Sequence, residues 1–95
     1  MSLEFEWDAK KAQANRATHG VDFEEALTVF RDPLARIFED EEHSQTEPRE
    51  IIIGHSVKQR LVLVWFAVRQ SRIRIISARR ATPLERKDYE ENVRP

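Results

Sequence analysis

The chain of 95 residues predicts an α+β fold in which an antiparallel sheet packs against helices, in the order β-α-α-β-β-β-β-α. Three observations predict it. The β-rich runs "REIIIGHS", "RLVLVWFAVR" and "RIRIISARR" follow one another with only "VKQ" and "QS" between them, the spacing of a hairpin meander. Two capped helical segments precede this meander and a third follows it. The middle run is apolar at successive positions from Leu61 to Val68, so it reads as a central strand with cover on both faces.

The elements follow in order. "LEFEW" (Leu3 to Trp7) alternates apolar and acidic residues, the period of a strand with one buried face. Asp8 then caps a helix through "AKKAQANRAT", which His19 and Gly20 stop. In the second helix Asp22 and Glu25 stand at capping-box spacing, and Phe23, Ala26, Leu27 and Phe30 form a core stripe. "RDP" at Arg31 to Pro33 ends it, because proline pushes its predecessor out of the α region. "LARIFED" reads as a short strand, and "EDEEHSQTEPRE" as an acidic, mobile connection without an apolar residue. After the meander, Thr82 as N-cap, Pro83 at the first position and Glu85 at the third open a last helix. Leu84, Tyr89 and Val93 are its only apolar groups, too few for a broad buried face, which places it on the surface.

No internal repeat or linker divides the chain, so residues 1–95 read as one domain with a small core. Absence of cysteine excludes disulfides and thiolate ligands and is compatible with a reducing cytoplasm, the expected location. The longest apolar run is far below the roughly 20 residues of a membrane helix, and the acidic start does not read as a signal peptide.

Charge is divided along the chain. Residues 1–50 hold 6 Lys/Arg against 13 Asp/Glu, whereas residues 51–95 hold 10 against 4. Between Lys58 and Leu84 stand Lys58, Arg60, Arg69, Arg72, Arg74, Arg79 and Arg80 with no acid among them. Either the two halves pair across the fold, or the basic half faces an anionic partner.

In an extended "RIRIISARR", Ile73, Ile75, Ser77 and Arg79 share one face and Arg72, Arg74, Ile76, Ala78 and Arg80 the other. The isoleucines choose the core side, leaving Arg72 and Arg74 with covered stems and wet guanidiniums. Arg79 and Arg80 are expected past the strand's end, beside the N-terminus of the last helix. Two forked cations at such a terminus suit a phosphate. The competing reading pairs Arg79 or Arg80 with Glu85 or with acids of the first half.

Nearly the whole chain, from "FEWDAKKAQANRATHGVDFEEA" through the "DP" break to "RIRIISARRATPLERKDYEE", resembles the BrnT family of ribonuclease toxins from type II toxin-antitoxin systems. The resemblance implies a RelE-like small domain that cuts RNA and inhibits translation until its cognate antitoxin, a BrnA-like protein, binds it. Operator DNA would be reached only through that antitoxin, and no membrane is involved.

Under that resemblance the chemistry is attack of a 2'-hydroxyl on the adjacent phosphate. It needs a base, an acid and cations for the charge gained at phosphorus. Arg79 and Arg80 are the candidates for phosphate and transition-state stabilisation. Arg72 and Arg74, with Lys58 and Arg60, are candidates for tracking the RNA backbone. His55 is the candidate titrating group, against a reading as a hydrogen-bonded strand-end histidine. Tyr89 and Glu85 are candidates for positioning or proton transfer, against packing and capping. Trp7 and Trp65 could stack bases but sit in apolar strands and read as core. His19, His43 and His55 lie far apart and no carboxylates take HExxH-like spacing, so neither a metal site nor a cofactor is expected. The rival functions are a non-enzymatic module binding nucleic acid or a partner through the same basic face, and a structural subunit docking on an acidic protein.

Overall fold

A computed structural model describes residues 3–43 and 47–92. Its elements run β1 (Glu4–Glu6), α1 (Ala9–His19), α2 (Phe23–Thr28), a 3₁₀ turn (Val29–Arg31), β2 (Arg36–Glu39), a 3₁₀ turn (Glu41–His43), β3 (Glu50–His55), β4 (Leu61–Arg69), β5 (Arg72–Arg80) and α3 (Pro83–Asn92). The expected element order is thus borne out. Residues 44–46, the His43 side chain and Val93, on which expectations also fell, lie outside the described residues.

The helix boundaries follow their caps. Asp8 accepts hydrogen bonds from the backbone N–H groups of Lys10 and Lys11, and Gly20 closes α1 in the left-handed conformation with φ 70°. Asp22 accepts from the N–H of Glu25. The α2 helix is shorter than its apolar stripe, because the approach to Pro33 tightens the last turn into a 3₁₀ form that carries Phe30.

The sheet has the strand order β1-β5-β4-β3-β2. Antiparallel pairs join β2 to β5, as the meander predicts. One correction is needed: β1 lies parallel to β5, Phe5 opposite Ile73, so the sheet is mixed rather than wholly antiparallel. The first strand returns to the sheet only as a three-residue edge. Gln70 and Ser71, both at positive φ, make the two-residue β4–β5 turn, whose twist matches that of the strands it joins.

Both faces of β4 are covered from Leu61 to Ala67, as its unbroken apolar run predicts, whereas Val68 at the end of that run is 58% exposed. Val62, Val64 and Phe66 pack with Phe23, Ala26, Val29, Ile73 and Ile75 beneath α1 and α2. Burying a side chain such as Phe23 fully contributes roughly 1.5–3 kcal/mol. Leu61, Leu63 and Trp65 pack with Ile51, Ile53 and Tyr89 on the opposite face. Tyr89 is the apolar anchor of α3, while Leu84 is 77% exposed, so that helix covers only part of its face.

Asn15, nearly fully buried, ties α1 to β5. Its amide donates to the carbonyls of Val21 and Ala78 and its oxygen accepts from Ala78 N–H. Glu25 is the most deeply buried of the charged groups among the described residues. Desolvation pushes its carboxyl up, but hydrogen bonds from Arg60 and Ser56 outweigh it and hold the group below its usual range. Arg60 also donates to Gly20 O, so it staples the β3–β4 loop to α2.

Candidate active site

A pairing irregularity decides which arginines meet. From Arg80 opposite Val62 to Ser77 opposite Trp65 the register is regular. It resumes with Ile75 opposite Phe66, leaving Ile76 as an extra residue in β5. Before it, Ile73 and Ile75 face α1 and α2; after it, Ala78 does. Arg79, opposite Leu63, therefore shares the α3 face with Arg72 and Arg74, whereas Arg80, opposite Val62, is turned to the other side. This corrects the simple alternation, which had put Arg80 with Arg72 and Arg74. It also corrects the placing of Arg79 and Arg80 beyond the strand, since both belong to β5. The pair does not converge on one phosphate.

Arg79 lies with its guanidinium carbon 5.2 Å from the centre of the Trp65 ring. Its Nη1 and Nη2 donate to Oε1 and Oε2 of Glu85 at 2.7 and 2.8 Å, a bidentate fork. Glu85 is also the reciprocal half of a capping box: its Oε1 accepts from Thr82 N–H at 2.8 Å, and its own N–H donates to Thr82 Oγ1 at 3.1 Å. The helix terminus that the sequence offers to a phosphate is therefore filled by the chain's own carboxylate. Arg79 chiefly, with Thr82, lowers the Glu85 carboxyl to about 2. A carboxylate so held stays ionised near neutrality.

His55 ends β3 on the same face, its ring 5.7 Å from that of Tyr89 in an edge-on contact. Its side chain is 46% exposed and its Nδ1 lies 3.7 Å from Asp32 Oδ2, which accepts the His55 backbone N–H at 2.7 Å. Gly54 makes that approach possible, because a Cβ there would stand 3.0 Å from Asp32 Oδ2 and 2.8 Å from Ala35 Cβ. Tyr89 donates its hydroxyl to Leu34 O at 3.2 Å. Burial, reinforced by Asp32 and opposed by Arg36, raises its phenol above the ordinary value, so the phenol keeps its proton at neutral pH. Between α3 and β2 opens a cleft of about 600 Å³, lined by Arg36, Phe38, Leu63, Leu84, Glu85 and Tyr89 among others.

His55, Tyr89, Glu85 and Arg79 thus share one face, with Arg72 and Arg74 farther along it. Those last two are not bare cations: Glu6 lies 3.7 Å from Arg72 and 3.3 Å from Arg74. Lys58 and Arg60, expected on an RNA path, both turn to Glu25, and Arg69 forks onto Glu47. The pairing of the acidic half with the basic half is therefore realised at five of the seven cations. Arg60 in particular is committed to the fold. His19 ends α1 as expected. Trp7 packs on Phe23, and Trp65 is core on its edges with Arg79 over its ring.

Sequence reasoning missed Asp32, Arg36 and Glu6. Asp32 stood inside the "RDP" stop signal and was read for its backbone alone. Glu6 was read as the wet side of β1, and its register opposite Arg74 needs the parallel pairing to be known. Among the described residues no three His, Asp or Glu side chains gather as a metal-ligand set, and no helix is long and apolar enough to cross a membrane.

Fold and side chains together define a small α+β protein with a half-covered cationic sheet face. A family model described as "Ribonuclease toxin, BrnT, of type II toxin-antitoxin system" matches residues 7–85. The fold is similar to the 1.1 Å crystal structure of the Brucella abortus ribonuclease toxin BrnT. The TM-score is 0.65 at 26% identity, over 85% of this chain and 99% of that one. Comparison with curated proteins gives no match. The chain belongs to the BrnT family of ribonuclease toxins, whose type II systems imply an RNA substrate and an antitoxin partner.

Proposed function

We propose that this chain is a metal-independent endoribonuclease whose cleavage of RNA inhibits translation until a BrnA-like antitoxin covers it. The observation that carries the reading is the gathering of His55, Tyr89 and Arg79 on one sheet face, in a chain of a ribonuclease-toxin family. His55 takes the proton of the 2'-hydroxyl as that oxygen attacks phosphorus. The departing 5'-oxygen takes up a proton as its bond to phosphorus breaks, leaving a 2',3'-cyclic phosphate. Arg79 meets the charge that builds on the phosphate oxygens. Tyr89 holds the imidazole edge-on, and Arg72 and Arg74 draw the strand along the face. The RelE-like character of the fold, a cytoplasmic site of action, and contact with operator DNA only through the antitoxin belong to this same reading.

The test is labelled RNA incubated with pure protein in EDTA. Cleavage to cyclic-phosphate ends is expected, with a loss of about 10²–10⁴-fold for His55→Ala and about 10²–10³-fold for Arg79→Ala. Binding that persists without cleavage in any condition would instead establish a non-enzymatic binding module. Growth arrest on induction, relieved by co-expressing the antitoxin, tests the partner.

A further inference from the structure

The Arg79 guanidinium has two edges able to grip an anion, and the fold occupies only one. Glu85 takes the Nη1/Nη2 edge. The second hydrogen of Nη1 goes to Arg80 O at 3.2 Å. Among the described residues the Nε–H has no hydrogen-bond partner, and Nη2 donates only to Glu85. These two nitrogens form the second planar fork of the group, matched to two phosphate oxygens. The Trp65 ring lies beneath the guanidinium carbon, 5.2 Å away at its centre, so the group is held by a carboxylate on one edge and by the ring, while the arginine side chain keeps 31% exposure.

We propose that Glu85 and Trp65 are positioning residues that present the Nε/Nη2 edge of Arg79 to an RNA phosphate. Glu85 is therefore neither a proton donor nor a plug in the phosphate site. Trp65 serves the guanidinium rather than a nucleobase, since Arg79 already lies over its ring and the residue is partly buried in the core. An arginine held this way loses less side-chain freedom when it binds than one recruited from solvent. The inference rests on the ribonuclease reading for its substrate but not for its anion chemistry.

Arginine Nε–Hε correlations of the ¹⁵N-labelled protein test it, with inorganic phosphate as the probe and Arg79→Lys assigning the signal. The Arg79 signal is expected to move saturably with phosphate. Glu85→Gln retains the capping box, because Gln serves as well as Glu in that position, and Trp65→Leu retains bulk; circular dichroism confirms folding of both. In each, turnover of a short RNA should fall about tenfold while KM changes little, since misplacing a catalytic group costs kcat. Glu85→Ala should fall further than Glu85→Gln, a graded response that loss of packing alone does not produce. An unmoved Arg79 signal in a protein that cleaves RNA overturns the proposal, as does a rise in turnover in Glu85→Gln, which would make Glu85 a plug. A shifting signal in a protein that cleaves no RNA supports the anion edge and overturns only the ribonuclease reading.

Discussion

Glu85→Gln also has a consequence for stability that can be worked from the structure. The carboxyl stands at about 2 instead of its ordinary 4.5, mainly through the Arg79 fork. A folded value below the unfolded one gives stability that is fully present above pH 4.5 and is lost as pH falls toward 2. At about 1.4 kcal/mol per pH unit, the displacement bounds this contribution at about 3 kcal/mol. The side chain is 31% exposed, and solvent screening brings the expected figure to about 1–2 kcal/mol. Urea unfolding of the native chain and of Glu85→Gln at pH 6 and pH 2.5 gives the double difference, in which the other carboxylates cancel. The native chain should lose about 1–2 kcal/mol more than the variant over that interval. Equal losses in the two proteins would refute the assignment of the fork as a stabilising contact.

Three further outcomes are expected. Arg60→Ala removes the hydrogen-bonding cation of the almost fully buried Glu25 and leaves it only Ser56 and Lys58, the latter at 4.0 Å, so it should cost up to about 3–5 kcal/mol in urea unfolding, the range for breaking a buried ion pair. Gly54→Ala places a methyl 2.8 Å from Ala35 Cβ and should cost about 1–3 kcal/mol through overcrowding, visible as a lowered urea midpoint at unchanged slope. Glu6→Ala frees Arg72 and Arg74, so RNA should bind more tightly at low salt, with the slope of log K on log salt steeper by about one; titration by fluorescence anisotropy measures both.

The parts of this fold that local chemistry controls were legible before any coordinates. The caps at Asp8, Asp22 and Thr82, the stop at Gly20 and the close-set hairpins depend on a few adjacent residues, and each stands where it reads. The charge imbalance left two outcomes open, pairing between the halves or an anionic partner, and Glu25, Glu47 and Glu6 carry out the pairing. What could not be read depends on two distant segments at once. The extra residue at Ile76 exists only relative to β4, and the meeting of Glu6 with Arg74 exists only once β1 lies parallel to β5. Of the candidate site, His55, Tyr89 and Arg79 were named from residue type and place, and the fold brings the three to one face. Their neighbour Asp32 was hidden because a residue preceding proline is first read as a stop signal.

The tandem arginines acquire a meaning from that one-residue slip. A strand with a single arginine near its end would lose its cation to the helix-packed side whenever a pairing error or a one-residue deletion reversed its phase. With Arg79 and Arg80 adjacent, either phase delivers one guanidinium to the face shared with His55, and the other is left in solvent. A one-residue shift of the pairing would exchange the two arginines between the faces without extinguishing the positive charge beside the tryptophan.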